Sequence, residues 1–175
     1  MRRLIAKLAF VAALATLAFS SAMAQEQNFT DANVDYSLDF PNATWRLIAK
    51  PDNIRSQVEF VYGDRLDGYL QIRKDTLNGE EDLTDYSHRY RDQTLRFLPG
   101  YVDGKEERFA GSMNGIVFSY EYTQSGKSML GRIYVLKADN RTVYALRFTG
   151  LRDKLGRIRN QTDAIARSFR LKKQS

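Results

Sequence analysis

Apolar and polar residues alternate along short segments in the first half of the chain, which is the period of a half-buried β-strand. This pattern predicts four strands, over residues 34–40, 45–49, 58–62 and 69–73. Pro41 ends the first strand because proline cannot donate a hydrogen bond to a neighbouring strand. Gly63-Asp64 and Asp67-Gly68 predict a turn before the fourth strand.

Between residues 78 and 98 the period changes to that of a helix. Apolar residues recur near a spacing of 3.6 residues, at Leu83, Tyr86, Tyr90 and Phe97. Asn78 with Glu81 resembles an N-terminal cap, and Leu98-Pro99-Gly100 terminates the pattern. The segment therefore predicts one long helix that follows the first group of strands.

Strand patterns return after this helix, and the chain closes with a second helical pattern. The strands are predicted over residues 101–109, 116–122, 129–136 and 142–149. Because short turns join them, they should pair antiparallel. One apolar stripe marks the closing helix, formed by Leu151, Leu155, Ile158, Thr162, Ile165, Ala166 and Phe169.

Runs of strands with helices that cover them predict an α+β domain built on a central antiparallel sheet and flanked by two main helices. The periodicity leaves open whether the two helices share one face of the sheet or take opposite faces.

The first 24 residues have the three parts of a cleavable signal peptide. Arg2, Arg3 and Lys7 precede an apolar run over residues 8–19, and Ala22-Met23-Ala24 provides a cleavage site. A membrane-spanning helix needs about 20 apolar residues, and this run is shorter. We therefore predict a signal peptide over 1–24, a flexible N-terminal arm over 25–33 and a single domain over 34–175. The mature protein is expected in the periplasm or outside the cell, without a membrane span.

Composition narrows the classes of function. The chain has no cysteine, so neither a disulfide nor a lipidated cysteine is available. The full chain has 27 Lys+Arg and 21 Asp+Glu; removal of the leader takes three basic residues and leaves 24 against 21. A net charge of this size favours solubility and gives little support for nucleic acid as a partner.

Candidate catalytic and metal-binding residues are few. His88 is the only histidine, and no nucleophile-elbow glycine pattern is present, so a histidine-based triad is not predicted. A zinc site is less favoured still, because His and Cys supply most zinc ligands and only one such residue is available. Four acidic residues offer oxygen ligands for calcium, but a charge-favoured helix start explains them equally well: Glu80, Glu81, Asp82 and Asp85. We predict no catalytic residue, no metal and no cofactor.

Positive charge is concentrated at the C-terminus, where residues 152–173 hold eight basic and two acidic side chains. Five arginines of this segment are the predicted partner-binding residues: Arg152, Arg157, Arg159, Arg167 and Arg170. Such a segment steers an acidic partner protein or an anionic envelope surface. The alternative is a solvated helix face with no partner.

The order of elements over residues 34–171 resembles the PsbP/Mog-type domain, which includes the extrinsic photosystem II protein and many exported bacterial relatives. Three pieces carry the likeness: the opening strand over 36–41, the strand over 144–149 and the segment over 166–169. The resemblance implies an α/β/α sandwich with helices on opposite sheet faces. It implies no catalytic residues, because members mostly bind or support protein partners.

The sequence thus predicts an exported, non-catalytic binding or accessory protein that engages a protein partner or an envelope component. A carrier of a small apolar ligand, held between sheet and helix, is the alternative. A hydrolase built from Tyr, Ser and carboxylates is the least favoured. The oligomeric state does not follow from the sequence.

Overall fold

The fold is an antiparallel sheet with helices on both sides, seen in a computed structural model that describes residues 27–52 and 57–173. The predicted signal peptide, residues 1–24, lies outside the described residues. Ten strands are present: β1 Gln27–Thr30, β2 Tyr36–Phe40, β3 Trp45–Ala49, β4 Val58–Tyr62, β5 Asp64–Thr76, β6 Val102–Ala110, β7 Asn114–Gln124, β8 Lys127–Lys137, β9 Thr142–Leu151 and β10 Arg170–Leu171. The helices are α1 Leu83–Tyr90, α2 Arg152–Arg157 and α3 Arg159–Ser168, and a π-helical turn, Arg91–Leu95, follows α1.

Seven strands form the main sheet in the order β3-β4-β5-β9-β8-β7-β6, and β1-β2-β10 form a smaller one. Every pairing is antiparallel, and β5 and β9 join the two halves of the main sheet. A two-residue hairpin links β7 to β8 through Ser125 and Gly126, whose φ angles of 50° and 73° suit a type I′ turn.

The eight predicted strands are all present, and β3 and β4 have the predicted bounds. The fourth begins earlier than predicted. Tyr62 pairs with Asp64 across Gly63, but the register shifts between Val61 and Tyr62, so residues 65–68 of β5, which include the predicted turn at Asp67-Gly68, have no partner on β4. The α+β class and the central antiparallel sheet are confirmed.

The helices cover opposite faces of the sheet, as the resemblance implied. Tyr134, Leu146 and Phe148 point from β8 and β9 into a core that α3 and the small sheet close. Ile133 and Ala145, one residue away, point into a second core under α1. Alternate side chains of the same strands therefore supply two separate interiors.

The prediction of a flexible arm over residues 25–33 is wrong from Gln27 onward. Residues 27–30 form β1, which pairs with β2. Phe29 is 8% exposed and its ring lies 5.0 Å from that of Phe60. Polar composition suggested an arm, but backbone pairing and a single buried ring are sufficient to fix it against the sheet.

The first helix is shorter than predicted and begins at a different cap. Asp82 caps α1 in a capping box with Asp85, four residues beyond the expected Asn78. After Tyr90 the chain widens into the π-helical turn, which shifts the following side chains around the axis. Leu95 is therefore buried, whereas Phe97, predicted on the apolar stripe, is 80% exposed.

The closing helix is divided into α2 and α3 at Ile158. Most of its predicted apolar stripe is buried, namely Leu155, Ile158, Thr162, Ile165, Ala166 and Phe169. Leu151 instead ends β9. Across the described residues, no helix has the length and apolar character needed to cross a bilayer.

Replacement of Phe169 by alanine is expected to lower the free energy of unfolding by about 3–5 kcal/mol, measured by urea denaturation. Phe169 is fully buried, with its ring 4.8 Å from Tyr36 and 5.0 Å from Tyr144. Phe97→Ala is the matched control and should change stability by less than about 0.5 kcal/mol. Equal losses would contradict the docking of the closing segment.

Candidate partner-binding surface

The five arginines predicted to bind a partner do not share one surface. They are distributed over α2, α3 and β10, and four of them contact other groups of the chain. Four of the five arginines are therefore bonded within the chain, and only the side chain of Arg159 has no partner among the described residues.

Arg152 and Arg157 lie on α2 in exposed ion pairs. Arg152 Nε is 3.2 Å from Glu121, and Arg157 Nη2 donates to Asp153 at 2.8 Å, one helical turn away. Pairs at this level of exposure are screened by water and add little to stability. Their charges remain accessible to a partner, but each is already balanced.

Arg167 and Arg170 connect the end of α3 to other elements. Arg167 Nη1 donates to the carbonyl oxygen of Ala110 at 2.6 Å. Arg170 Nη1 and Nη2 donate to the two carboxylate oxygens of Asp39 at 2.7 and 3.2 Å. The Arg170–Asp39 pair fixes β10 against β2, and its hydrogen bonds hold the pKa of Asp39 below its usual value.

Arg159 differs from the other four. It is exposed at the first position of α3, and its side chain makes no hydrogen bond or ion pair with the described residues. With Lys105, Glu107 and Arg132 it lines a groove of about 180 Å³ between α3 and the β6-β7-β8 edge of the sheet. We call this feature the basic groove, and its four charged side chains carry two net positive charges.

The floor of the basic groove is rigid because Arg132 is held from several directions. Its side chain is only 9% exposed, and Nη2 lies 2.9 Å from Asp163 on α3. Arg132 Nε donates to the Tyr134 hydroxyl at 3.1 Å, and that hydroxyl donates in turn to Asp163. Burial raises the pKa of Tyr134, so its hydroxyl remains a neutral donor.

Close packing of β6 shapes the wall of the groove. A Cβ atom at Gly104 would lie 2.4 Å from the Ser119 hydroxyl oxygen, so only glycine allows the two strands to approach here. A register shift follows between Asp103 and Glu106. The outer strand β6 is almost entirely exposed, and Lys105 extends from it with 87% of its side chain accessible.

A larger cleft lies beside β2. It has a volume of about 890 Å³ and is lined in part by Asp35, Lys74, Tyr144, Lys172 and Lys173. Lys74 bonds to Asp35, and Lys172 Nζ donates to the carbonyl oxygen of Val34 at 2.9 Å. Most of the charge around this cleft is thus committed to the chain itself.

The candidates for catalysis and cation binding from the first helix have structural surroundings. His88 is exposed on α1. Asp82 and Asp85 cap that helix, and Glu81 accepts from Arg89 at 2.6 and 2.8 Å. Within residues 27–52 and 57–173, no group of three or more potential ligand side chains is placed to hold a metal ion.

Sequence reasoning missed Arg132 and Lys105. Arg132 stands alone in the otherwise apolar run of β8, which reads Met-Leu-Gly-Arg-Ile-Tyr over 129–134. A lone charge in a buried strand is a usable signal, because such a charge is retained only with a partner. Lys105 has no comparable signal, since it lies in a mixed charged run.

No family model matches the chain, and no curated protein matches it either. Solved structures do match. Cyanobacterial PsbP (CyanoP) from Synechocystis gives a TM-score of 0.58 at 14% identity, over 87% of this chain and 95% of that one. A mutant of the protein Mog1 gives 0.59 at 8% identity, over 83% and 95%.

LpqN, a protein involved in cell envelope biogenesis of Mycobacterium tuberculosis, matches with a TM-score of 0.52 at 17% identity, over 85% of this chain and 92% of that one. Together the three structures show that the fold is of the PsbP/Mog type. At these identities the likeness concerns the fold alone.

Asp39→Asn is expected to destabilise the protein near neutral pH and to matter less as the solution is acidified. The folded-state pKa of Asp39 is depressed below 3.8 by Arg170, so its contribution is complete above about pH 4 and is lost as pH falls through the folded pKa. Thermal unfolding midpoints of the two proteins should converge towards about pH 2.

Asp153→Asn is the control for this titration. Its partner is also an arginine, but both side chains are more than 60% exposed, at 65% and 69%. The midpoint should hardly change at any pH. A constant gap between wild type and Asp39→Asn down to the lowest pH would contradict the role assigned to the Asp39–Arg170 pair.

Proposed function

We propose that this protein, with its PsbP/Mog-type fold, is an exported, non-catalytic accessory protein that binds an acidic protein partner through the basic groove. The observation that carries the proposal is Arg159, an exposed arginine with no internal partner, next to the fixed guanidinium of Arg132. Preorganised positive groups of this kind favour an anionic side chain and need little ordering on binding.

The size of the groove favours a protein over a small molecule. About 180 Å³ is below the usual range of small-ligand pockets and suits one inserted side chain. An Asp or Glu side chain of a partner would meet Arg159 there, beside the Arg132–Asp163 and Lys105–Glu107 pairs, which together leave one net positive charge. An anionic lipid surface is the alternative occupant, and binding to phosphatidylglycerol vesicles distinguishes it from a protein partner.

Arg152, Arg157, Arg167 and Arg170 have a different part in this proposal. Arg152, Arg157 and Arg170 are balanced by acidic side chains and Arg167 is bonded to a backbone carbonyl, so we give them no part in the contact itself. The proposal therefore narrows the predicted binding residues to Arg159, supported by Lys105 and Arg132.

The proposal that the protein is not an enzyme rests on its titratable groups. The tyrosines with the largest shifts, Tyr36, Tyr86 and Tyr134 among them, have pKa values raised by burial, which disfavours the ionised form that a nucleophile or base needs. His88 is exposed on α1 with no carboxylate contact in the described chain. Neither feature resembles an activated catalytic group.

The alternative of an apolar-ligand carrier receives less support. The 890 Å³ cleft beside β2 is open to solvent and lined by three lysines and two aspartates, Lys74, Lys172, Lys173, Asp35 and Asp52. Such a lining suits a polar ligand. The interior between the main sheet and α3 is instead occupied by aromatic rings, among them Tyr134, Phe148 and Phe169.

Export is proposed from the leader over residues 1–24, whose features are those of a cleavable signal peptide. LpqN is involved in cell envelope biogenesis, which is consistent with an envelope location for this protein. N-terminal sequencing of the protein purified from its native cells should give Gln25 as the first residue, and retention of residues 8–19 would refute cleavage.

Charge reversal in the basic groove is expected to remove partner binding. Arg159→Glu with Lys105→Glu should lower recovery of partner protein from an envelope extract at least about tenfold, because two attractions become repulsions in the contact. Recovery is measured by quantitative mass spectrometry on the immobilised mature protein.

Arg152→Glu with Arg157→Glu is the matched control, since it changes the net charge equally on a neighbouring helix. Recovery with this variant should stay within about twofold, the size of a steering effect alone at physiological salt. Equal loss with both pairs would refute a localised site. Binding to phosphatidylglycerol vesicles that the groove variant abolishes would assign the groove to lipid rather than protein.

A further inference from the structure

Arg147 is a partly buried arginine near the centre of the main sheet, on the face that α1 covers only in part. It lies on β9, directly opposite Gln71 on β5 and Ile133 on β8. No carboxylate of the described residues pairs with it, and its one hydrogen bond goes to Tyr120. Charged groups at this depth are normally paired, because removal from water is unfavourable without compensation.

The guanidinium of Arg147 is held in a fixed orientation. Its Nε donates to the Tyr120 hydroxyl at 2.8 Å, and its central carbon lies 5.9 Å from the centre of that ring. Tyr120 is fully buried, and burial raises the pKa of its hydroxyl, which keeps it a neutral acceptor. The two terminal nitrogens of Arg147 have no hydrogen-bond partner in the described chain.

Gly131 makes this arrangement possible. A Cβ atom there would lie 2.1 Å from the Cζ atom of Tyr120, so the tyrosine ring crosses β8 through the space that any other side chain would occupy. The ring thereby reaches from β7 across β8 to Arg147 on β9. The orientation of Arg147 therefore depends on three adjacent strands, through Tyr120 on β7, Gly131 on β8 and the hydrogen bond to Arg147 on β9.

Two other arginines on the same face show what Arg147 lacks. Arg65 lies over Tyr69 at 4.7 Å and is 3.3 Å from Glu59. Arg73 lies near Tyr90 at 5.6 Å and pairs with Asp75 at 2.5 Å. Each of the three arginines is placed against a tyrosine ring, but only Arg147 has no acidic partner within the described part of the chain.

Arg147 is partly exposed to solvent, and the sheet face on which it lies carries an excess of positive charge. Helix α1 packs against β7 and β8, whereas side chains on this face of β3 to β5 remain partly exposed, including Ile48 at 42%. Four arginines on or beside the face stand against Glu59 and Asp75; they are Arg46, Arg65, Arg73 and Arg147. We call it the arginine–tyrosine face.

We infer that the arginine–tyrosine face binds an acidic segment of a partner protein, with a carboxylate of that segment bonded to the two terminal nitrogens of Arg147. The planar fork of arginine matches a carboxylate in two parallel hydrogen bonds. Arginine and tyrosine are the residue types that dominate protein-binding hot spots. This site goes beyond the basic groove, which lies on the opposite face of the sheet and uses none of these residues.

The test is a titration of the mature protein with an acetylated hexaglutamate peptide, followed through the Nε–Hε resonances of arginine in ¹⁵N-correlated NMR spectra. The Arg147 resonance should shift on addition of the peptide, and a hexaglutamine peptide should leave it unchanged. This measurement uses the unaltered protein, so it does not depend on whether any variant folds.

Arg147→Lys keeps the charge but removes the fork and the bond to Tyr120, and it should weaken peptide affinity about tenfold. Arg141→Lys, at an exposed position before β9 and outside the arginine–tyrosine face, is the control and should stay within about twofold of wild type. Tyr120→Phe tests positioning: affinity should fall by less than in Arg147→Lys while the thermal midpoint shows that the fold is retained.

Several outcomes would overturn the inference. These are an unshifted Arg147 resonance, equal weakening by Arg147→Lys and Arg141→Lys, or peptide binding that Arg159→Glu alone abolishes. Inorganic phosphate or phosphatidylglycerol vesicles that shift the Arg147 resonance as strongly as the peptide would assign the face to phosphate groups instead of protein carboxylates. If the basic groove variants do not affect partner recovery, only the proposal for the basic groove is refuted, and the peptide titration still decides the inference for Arg147.

Discussion

The burial of both faces of β8 and β9 is the constraint on which the rest of the structure depends. Side chains that point one way meet α3 and the small sheet, and their neighbours meet α1, so nearly every position of these strands must be apolar. A charge in such a strand stands out. Arg132 and Arg147 are two such residues, they point to opposite faces, and each bonds through Nε to a tyrosine hydroxyl of the sheet.

The two-residue period revealed strands such as β2 and β5 because buried and less buried positions alternate along them. It did not reveal β1, whose stability depends on pairing with β2 and on one buried ring, Phe29. The helical period of 3.6 residues failed in turn at the π-helical turn, where a wider helix leaves Phe97 exposed to water. In both places the deciding interaction comes from a partner element and not from the local pattern.

Counting charges located the basic segment correctly but not the site within it. Eight basic residues follow position 151, yet Arg170 and Arg167 serve to attach the last turn of the chain to Asp39 and Ala110. Only the three-dimensional structure shows which arginines are bonded within the chain and which remain accessible to a partner. The groove residue Lys105 comes from a distant strand, and the Tyr120–Arg147 pair spans 27 positions, so neither association is visible along the chain.

The small sheet has a consequence for the order of folding. Strand β2 lies between β1 and β10, and the Ser168 hydroxyl bonds to the backbone of Asp39 across 129 positions. Leu38 and Phe40, fully enclosed in the finished molecule, therefore lack their cover until the final residues have been synthesised. Contacts of such long range are slow to form. We therefore expect apolar residues of β2 to remain exposed in the nascent chain, where they favour aggregation, until the C-terminal segment has been synthesised and has packed against them.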